Sequence, residues 1–446
     1  DSASGTSTNA GKIISTKLRA VGISASGGSN ALENTGEIIL SGQESIGIHT
    51  DKLGTGHEIT NGSLGKIILT DATNETKPNI GIYSDNAGDV IKNNGEITAG
   101  DQTIGVYSKA GGNVTLGRFS KTTVGQNAMG VYTTGGTVTI DNGAAITVGD
   151  RISAGKESVG VFYAGSNGTI NNSTANITIG EGSIGFVMKG GSRNTLTSDN
   201  PSNGTVTLKK ESVFIYDDTQ STVNNSTHLV SSAATDERIY GIYTNGKGSN
   251  YGNIDFSLGK GNVGIYSYLY DPNYTNNVNE KGEYIAQNKP DEFVNHGIIS
   301  VSESDITPPN LEDKKYGIGM AAGYVKQRLV YNSTTNQTEV KRDVLGLGHI
   351  ENHGTIRVTT PNSIGMYAGG KGSKAINHVN GRIELSGTEL NVGMFLEDGA
   401  EGHNYGTITT VGSGNKEQVG IAVLREATFH NHPGGKVYIN AEDGIG

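Results

Sequence analysis

One short cassette, aliphatic–Gly–aliphatic–aromatic, returns along almost the whole chain and leaves little choice of fold. It reads Ile80-Gly81-Ile82-Tyr83, Ile104-Gly105-Val106-Tyr107, Met129-Gly130-Val131-Tyr132 and Val159-Gly160-Val161-Phe162, and it returns at Val263, Ile364 and Val392. Weaker copies begin at Ile46, Ile184, Tyr240 and Val419, and Val213-Phe214-Ile215-Tyr216 carries Phe where the others carry Gly. Intervals between the central glycines from Gly47 to Gly185 are 34, 24, 25, 30 and 25 residues. A repeat of this length cannot bury its own apolar face, so it must stack on its neighbours as a solenoid.

Each period holds two further runs, such as Thr137-Val138-Thr139-Ile140 and Ala145-Ile146-Thr147-Val148. They alternate aliphatic residues with Thr, Ser or Gly, the period-2 pattern of a strand with one buried face. Three such strands with Gly, Asn and Ser corners make one triangular coil. The chain is therefore expected to be all-β: a right-handed parallel β-helix, a three-sided solenoid of about 14 coils. At about 4.8 Å per coil the rod would measure roughly 65–70 Å. Strand alternation within the cassette would put its two aliphatics on one face and its Gly and aromatic on the other. Tyr83, Tyr107, Tyr132, Phe162, Tyr216, Tyr243 and Tyr266 would then form a column. That column is either a stacked ladder that stabilises the solenoid or an exposed stripe for glycan stacking or protein docking.

Asn before Gly and an aliphatic strand is the second recurring element. It occurs at Asn34-Thr35-Gly36, Asn94-Gly95, Asn352-His353-Gly354 and Asn404-Tyr405-Gly406. Copies one coil apart would align their amides into an asparagine ladder that also tolerates the corner backbone. His296, His353, His378 and His432 each follow an Asn at related corners. Stacked imidazoles could gather a metal, but no fixed ligand spacing or acidic partner accompanies them, so they read as corner residues and no metal is expected.

The repeat is interrupted twice, from Gly264 to Gly317 and from Gly317 to Gly365, intervals of 53 and 48 residues. Each is about two periods, with room for a hidden coil plus extra residues. The insertions are placed at 267–294 and 324–345, within a single β-helix spanning 1–446. Insertions in solenoids emerge as surface loops, where recognition concentrates. The first carries Tyr268, Tyr270, Tyr274 and Tyr284; eleven of the nineteen tyrosines lie between 240 and 331. Tyr gives a large amphipathic contact for little side-chain entropy. The second reads as a hairpin carrying Lys326, Arg328, Tyr331, Lys341 and Arg342, a small basic cluster on an acidic chain. These nine residues are the candidate ligand-binding set, against the plainer reading of solvated padding.

Composition excludes several classes. Net charge is −10, with no concentrated Lys and Arg, which argues against a nucleic-acid partner. With no cysteine, disulfide and thiol chemistry are ruled out. No apolar run is long enough to span a bilayer as a helix, so this segment is not expected to insert into a membrane. Nor does any constellation call for a cofactor. For a polysaccharide-cleaving enzyme, clustered carboxylates are required. Asp217-Asp218 is the adjacent acidic pair that stands out after a strand, and a surface turn explains it better. No catalytic residue is assigned. The chain starts at Asp1 without Met, and Gly444-Ile445-Gly446 reads as the opening of another cassette, so a longer array is expected.

With its Ile-Gly-Val-Tyr cassettes and Asn-x-Gly-Thr-Ile corners, the chain resembles passenger regions of type V autotransporters, most of all the large fusobacterial adhesins. The resemblance covers nearly everything outside 267–350. It implies an extracellular rod on the bacterial surface, anchored to the outer membrane by a translocator absent from this chain. It also implies partners among host glycoproteins, receptors or glycans and other bacterial surfaces. The leading expectation is a non-enzymatic adhesin fragment. A structural spacer with its binding site elsewhere, and a carbohydrate-active β-helix enzyme, are the alternatives.

Overall fold

A computed structural model describes residues 5–200, 204–270, 290–308, 313–334 and 336–446, excepting the side chains of Arg328 and Asn332. Among them there is no α-helix. Three parallel sheets hold 15, 15 and 14 strands, and each strand is hydrogen-bonded to the corresponding strands of the coils before and after it, three places away in sequence except across the two insertions. Every coil thus gives one strand to each sheet, and the chain is a three-sided β-solenoid of about 15 coils. It divides into two compact units, 1–228 and 229–446.

In the first unit most strands of the first two sheets are four residues long with alternate residues buried, as in Glu37–Leu40 and Glu96–Ala99. Ile38, Leu40, Ile67 and Ile97 are wholly buried, each stabilising the core by about 1.5–3 kcal/mol. An asparagine ladder crosses four coils: Asn9 Nδ2 donates to Asn34, Asn34 to Asn61 and Asn61 to Asn93, each at 2.8 Å. The ladder residue is Asn93, not Asn94: the inward position here lies two residues before the corner glycine Gly95, and Asn94 points outward. At the next coil the column holds Leu116, and the Asn93 amide nitrogen is left buried without a partner.

Tyr163 occupies an inward position that the four preceding coils give to Thr50, Ser84, Ser108 and Thr133, and it is wholly buried with its hydroxyl donating to the Gly136 carbonyl at 2.9 Å. The space comes from Gly168, whose missing Cβ would lie 1.3 Å from the Tyr163 hydroxyl. A Gly168→Ala variant is therefore expected to lose about 1–3 kcal/mol, measured by urea denaturation, and a Gly168→Ala/Tyr163→Ser double variant to recover part of it.

In the second unit, a ladder resumes and runs Asn250, Asn295, Asn352, Asn377, Asn404 and Asn431, with amide bonds of 2.8–3.0 Å. The residue after each of the first four asparagines and the last two stacks outside the corner. Ring centroids lie 4.7 Å apart for Tyr251–His296, 4.1 Å for His353–His378 and 3.9 Å for Tyr405–His432. The corner histidines are a stacking device.

Burial, then the neighbouring His353 charge, pushes the His296 pKa down; burial, then the charges of His430 and His432, does the same to His403, against an upward pull from Glu401. A histidine whose folded pKa is depressed takes up a proton more readily when unfolded. Its contribution is therefore complete above about pH 6.5 and is lost as pH falls from there through the folded value. The second unit is expected to unfold at lower urea at pH 5 than at pH 7, and His403→Gln to flatten that slope.

Two readings of this region are corrected. The cassette after Val263 is Ile318-Gly319-Met320-Ala321, because Gly319 aligns with Gly264 and Gly365, so Gly317 is not its centre. Among the described residues no hidden coil lies on either side of it: each interval gives one strand to each sheet.

Candidate functional site

The site grows from a break in alternation inside the cassette. A Cβ on Gly264 would lie 2.6 Å from the Gly319 carbonyl, and one on Gly319 2.7 Å from the Gly365 carbonyl. Only hydrogen fits between coils there, and the pairing register passes over the glycine. The extra residue returns the first aliphatic and the aromatic to the same outer face, while the second aliphatic and the residue after the aromatic point inward. The expectation that both aliphatics share a face is thus wrong. Ile265 and Met320 are wholly buried, whereas Tyr266 and Tyr367 sit half-buried outside.

The cassette aromatics are accordingly an outward column whose rings pack from coil to coil, some stacked and some edge-to-face. In the first unit His49, Tyr83, Tyr107, Tyr132 and Phe162 follow one another at centroid distances of 5.4, 5.5, 4.9 and 5.2 Å. In the second unit Tyr243 and Tyr266 lie 5.2 Å apart, and Tyr367 and Phe395 lie 6.1 Å apart. Between those pairs the register position is Ala321, in line with Tyr266 before it and Tyr367 after it. One missing ring leaves a gap in the column.

A three-stranded antiparallel sheet stands over this gap. Strand Tyr324–Asn332 pairs with Gln337–Leu347, and Leu269–Tyr270 pairs with the far edge of the latter. Its base is tied down by charge. Arg342 Nη1 donates to Glu397 at 2.8 Å and Asp398 at 3.1 Å, while Arg425 bridges to Asp398 at 3.2 Å and also to Glu397. The Tyr367 hydroxyl donates to the other Glu397 oxygen at 2.9 Å. Burial, together with the Glu397 charge, holds that hydroxyl's pKa well above the usual phenol range.

Gap and sheet enclose a cavity of about 610 Å³, inside the range of roughly 300–1,000 Å³ usual for small-ligand sites. Val263, Ile318 and Ile364 form its floor, Tyr266, Tyr367 and Phe395 one wall, and Tyr324 to Gln327 the overhang. Tyr316 and Tyr324 are 41% and 42% exposed and also line the cavity. Apolar ring faces beside a polar rim can hold a ligand that has one apolar face and hydroxyls at its edge.

The candidate residues separate clearly. Lys326 and Arg342 line the cavity, and Tyr268 backs it, its ring 5.7 Å from Tyr266 and 6.3 Å from Tyr324. Tyr270, Tyr331 and Lys341 are exposed and lie away from it. The Arg328 side chain, Tyr274 and Tyr284 lie outside the described residues. Glu397 and Asp398 were missed, although they end a cassette much as Asp217-Asp218 does, one position later; an acidic pair after the cassette aromatic was the signal. Asp217 itself is consumed by its turn, accepting from Thr219 N and Oγ1 and from Ser221 N at 2.7–3.2 Å. Among the described residues, Glu292, His349 and Glu351 bring three donor atoms within 4.8 Å of one another. Glu351 already meets His349 at 3.4 Å and His353 at 3.3 Å.

No curated protein sequence matches the chain. A crystal structure of a TibC-catalysed, hyper-glycosylated TibA fragment aligns over 99% of each chain at 12% identity and a TM-score of 0.23, too loose to transfer any detail. The family model described as the BigA third pectate lyase-like domain matches residues 196–435, more than half of the chain and every residue lining the cavity. This chain, a β-helix of the kind its passenger-like cassettes implied, belongs to the family of the BigA third pectate lyase-like domain.

Proposed function

We propose that the chain is a non-enzymatic adhesin segment, displayed outside the cell, whose cavity between the cassette sheet and the hairpin binds a glycan. The observation that carries this reading is the Ala321 gap with a tethered sheet over it; the column also lacks a ring at Val187, but no described strand outside the three sheets covers that coil. Pyranose rings present a C–H face that suits Tyr316, Tyr324 and Tyr367, with hydroxyls left for the rim. Glu397 and Asp398, which an enzyme would use as acid and base, are instead clasped by Arg342 and Arg425. The first unit, in which no described strand lies outside the three sheets, serves as spacer. Attachment to host cells or other bacteria follows from such a site.

Binding of the purified chain to a glycan array and to host cells, against a variant with 325–344 replaced by a short Gly-Ser turn, tests this. Circular dichroism would verify that the variant remains β-rich. Binding lost on trimming supports the reading. Equal binding by both, or release of cleaved oligosaccharide by the intact chain, contradicts it.

A further inference from the structure

The charge of the cavity runs against the charge of the chain. The whole sequence has 44 acidic and 34 basic residues. The cavity reverses that balance, being lined by Arg238, Lys314, Lys315, Lys326, Arg342 and Arg425 against the single carboxylate of Glu397. Some of these cations are already satisfied: Arg342 and Arg425 hold Glu397 and Asp398, and Lys315 holds Glu237. Arg238, Lys314 and Lys326 have no ion pair among the described residues. They come from three separate segments: the corner before the Tyr240 cassette, the stretch before Ile318, and the hairpin. The Arg238 charge lies close enough to Tyr240, at the cavity wall, to offset part of the rise that burial imposes on that hydroxyl.

We infer that the glycan taken by this cavity is anionic, a sugar bearing a carboxylate or sulfate whose charge is met by Arg238, Lys314 and Lys326. The inference rests on the glycan reading above. A neutral sugar would stack on the same rings but leave three cavity-lining cations without an ion-pair partner. An acid group on the ring edge would turn them into charge-assisted hydrogen bonds, which are the stronger kind. Clefts lined by one sign of charge also focus the field and raise the local concentration of an oppositely charged ligand.

The test uses the intact chain and matched glycan pairs, each differing only in the acid group: sialylated against asialo, uronic against neutral hexose, sulfated against unsulfated. Surface plasmon resonance is expected to show the acidic member bound about ten-fold or more tighter. That gap should narrow as salt rises, because the rim charges are partly solvated. An Arg238→Gln/Lys326→Gln variant is expected to lose most of the preference. Equal affinity for both members would overturn the inference while leaving the glycan reading intact. Binding of no glycan would overturn both, and binding of an acidic peptide in place of every glycan would overturn the assignment of ligand class.

Discussion

An Ala321→Tyr variant is expected to lose glycan binding by on the order of 30-fold or more, the scale of a binding hot spot, while melting within about 3 °C of wild type. The reason is positional. In the first unit, aromatics at this register pack at 4.9–5.5 Å from coil to coil, stacked or edge-to-face, so the column accepts a ring at each step from His49 to Phe162. A tyrosine at 321 would lie in register between Tyr266 and Tyr367 and fill the gap that a ligand ring would otherwise enter. The added ring contacts with Tyr266 and Tyr367 offset the crowding within the cavity. A titration by surface plasmon resonance alongside a thermal melt separates the outcomes. Retained binding would mean that ligand does not enter there.

Asn352→Ala carries the largest expected cost in stability, about 3–5 kcal/mol by urea denaturation of the chain. Asn352 is wholly buried; its Oδ1 accepts from Asn295 at 3.0 Å, and its Nδ2 donates to Asn377 at 3.0 Å and to the Gly354 carbonyl at 3.2 Å. Deleting it strands a donor on one coil and an acceptor on the next, and each unsatisfied buried group costs about 1–3 kcal/mol. The contrast is Asn93→Leu. Asn93 ends its ladder with an unpartnered amide nitrogen beside Leu116, so replacement removes a penalty as well as a bond and should cost much less. Equal costs at both positions would show that the ladder is not a connected network.

Coil architecture was readable in the sequence because its two signals are local. Alternation over three or four residues gives the buried face, and an asparagine two residues before a corner glycine marks the ladder. The facing of the cassette aromatics was not readable, since it depends on a glycine that drops out of the pairing register when coils meet. Gly319 was displaced to Gly317 for a related reason: Gly317 and Gly319 flank the same isoleucine, and only the stacking on Gly264 and Gly365 distinguishes them.

The site was legible in fragments. Lys326, Arg342 and Tyr268 could be picked out as aromatic and basic residues in insertions. What makes them a cavity is Ala321, a residue conspicuous only for the ring it lacks, and Glu397, which lies 55 positions beyond Arg342. Those relations exist only once the hairpin folds back over the cassette sheet. Tyr331 and Lys341, equally promising by composition, fall on parts of the hairpin away from the cavity.

Hydrogen exchange of the whole chain, with and without the glycan that binds it most tightly on an array, tests the location of the site most directly. Slowed exchange confined to Tyr316–Ile318, Tyr324–Gln327 and Ile364–Tyr367 is the predicted result. Protection along the Tyr83–Phe162 column with none at the hairpin would place recognition on the first unit and contradict it.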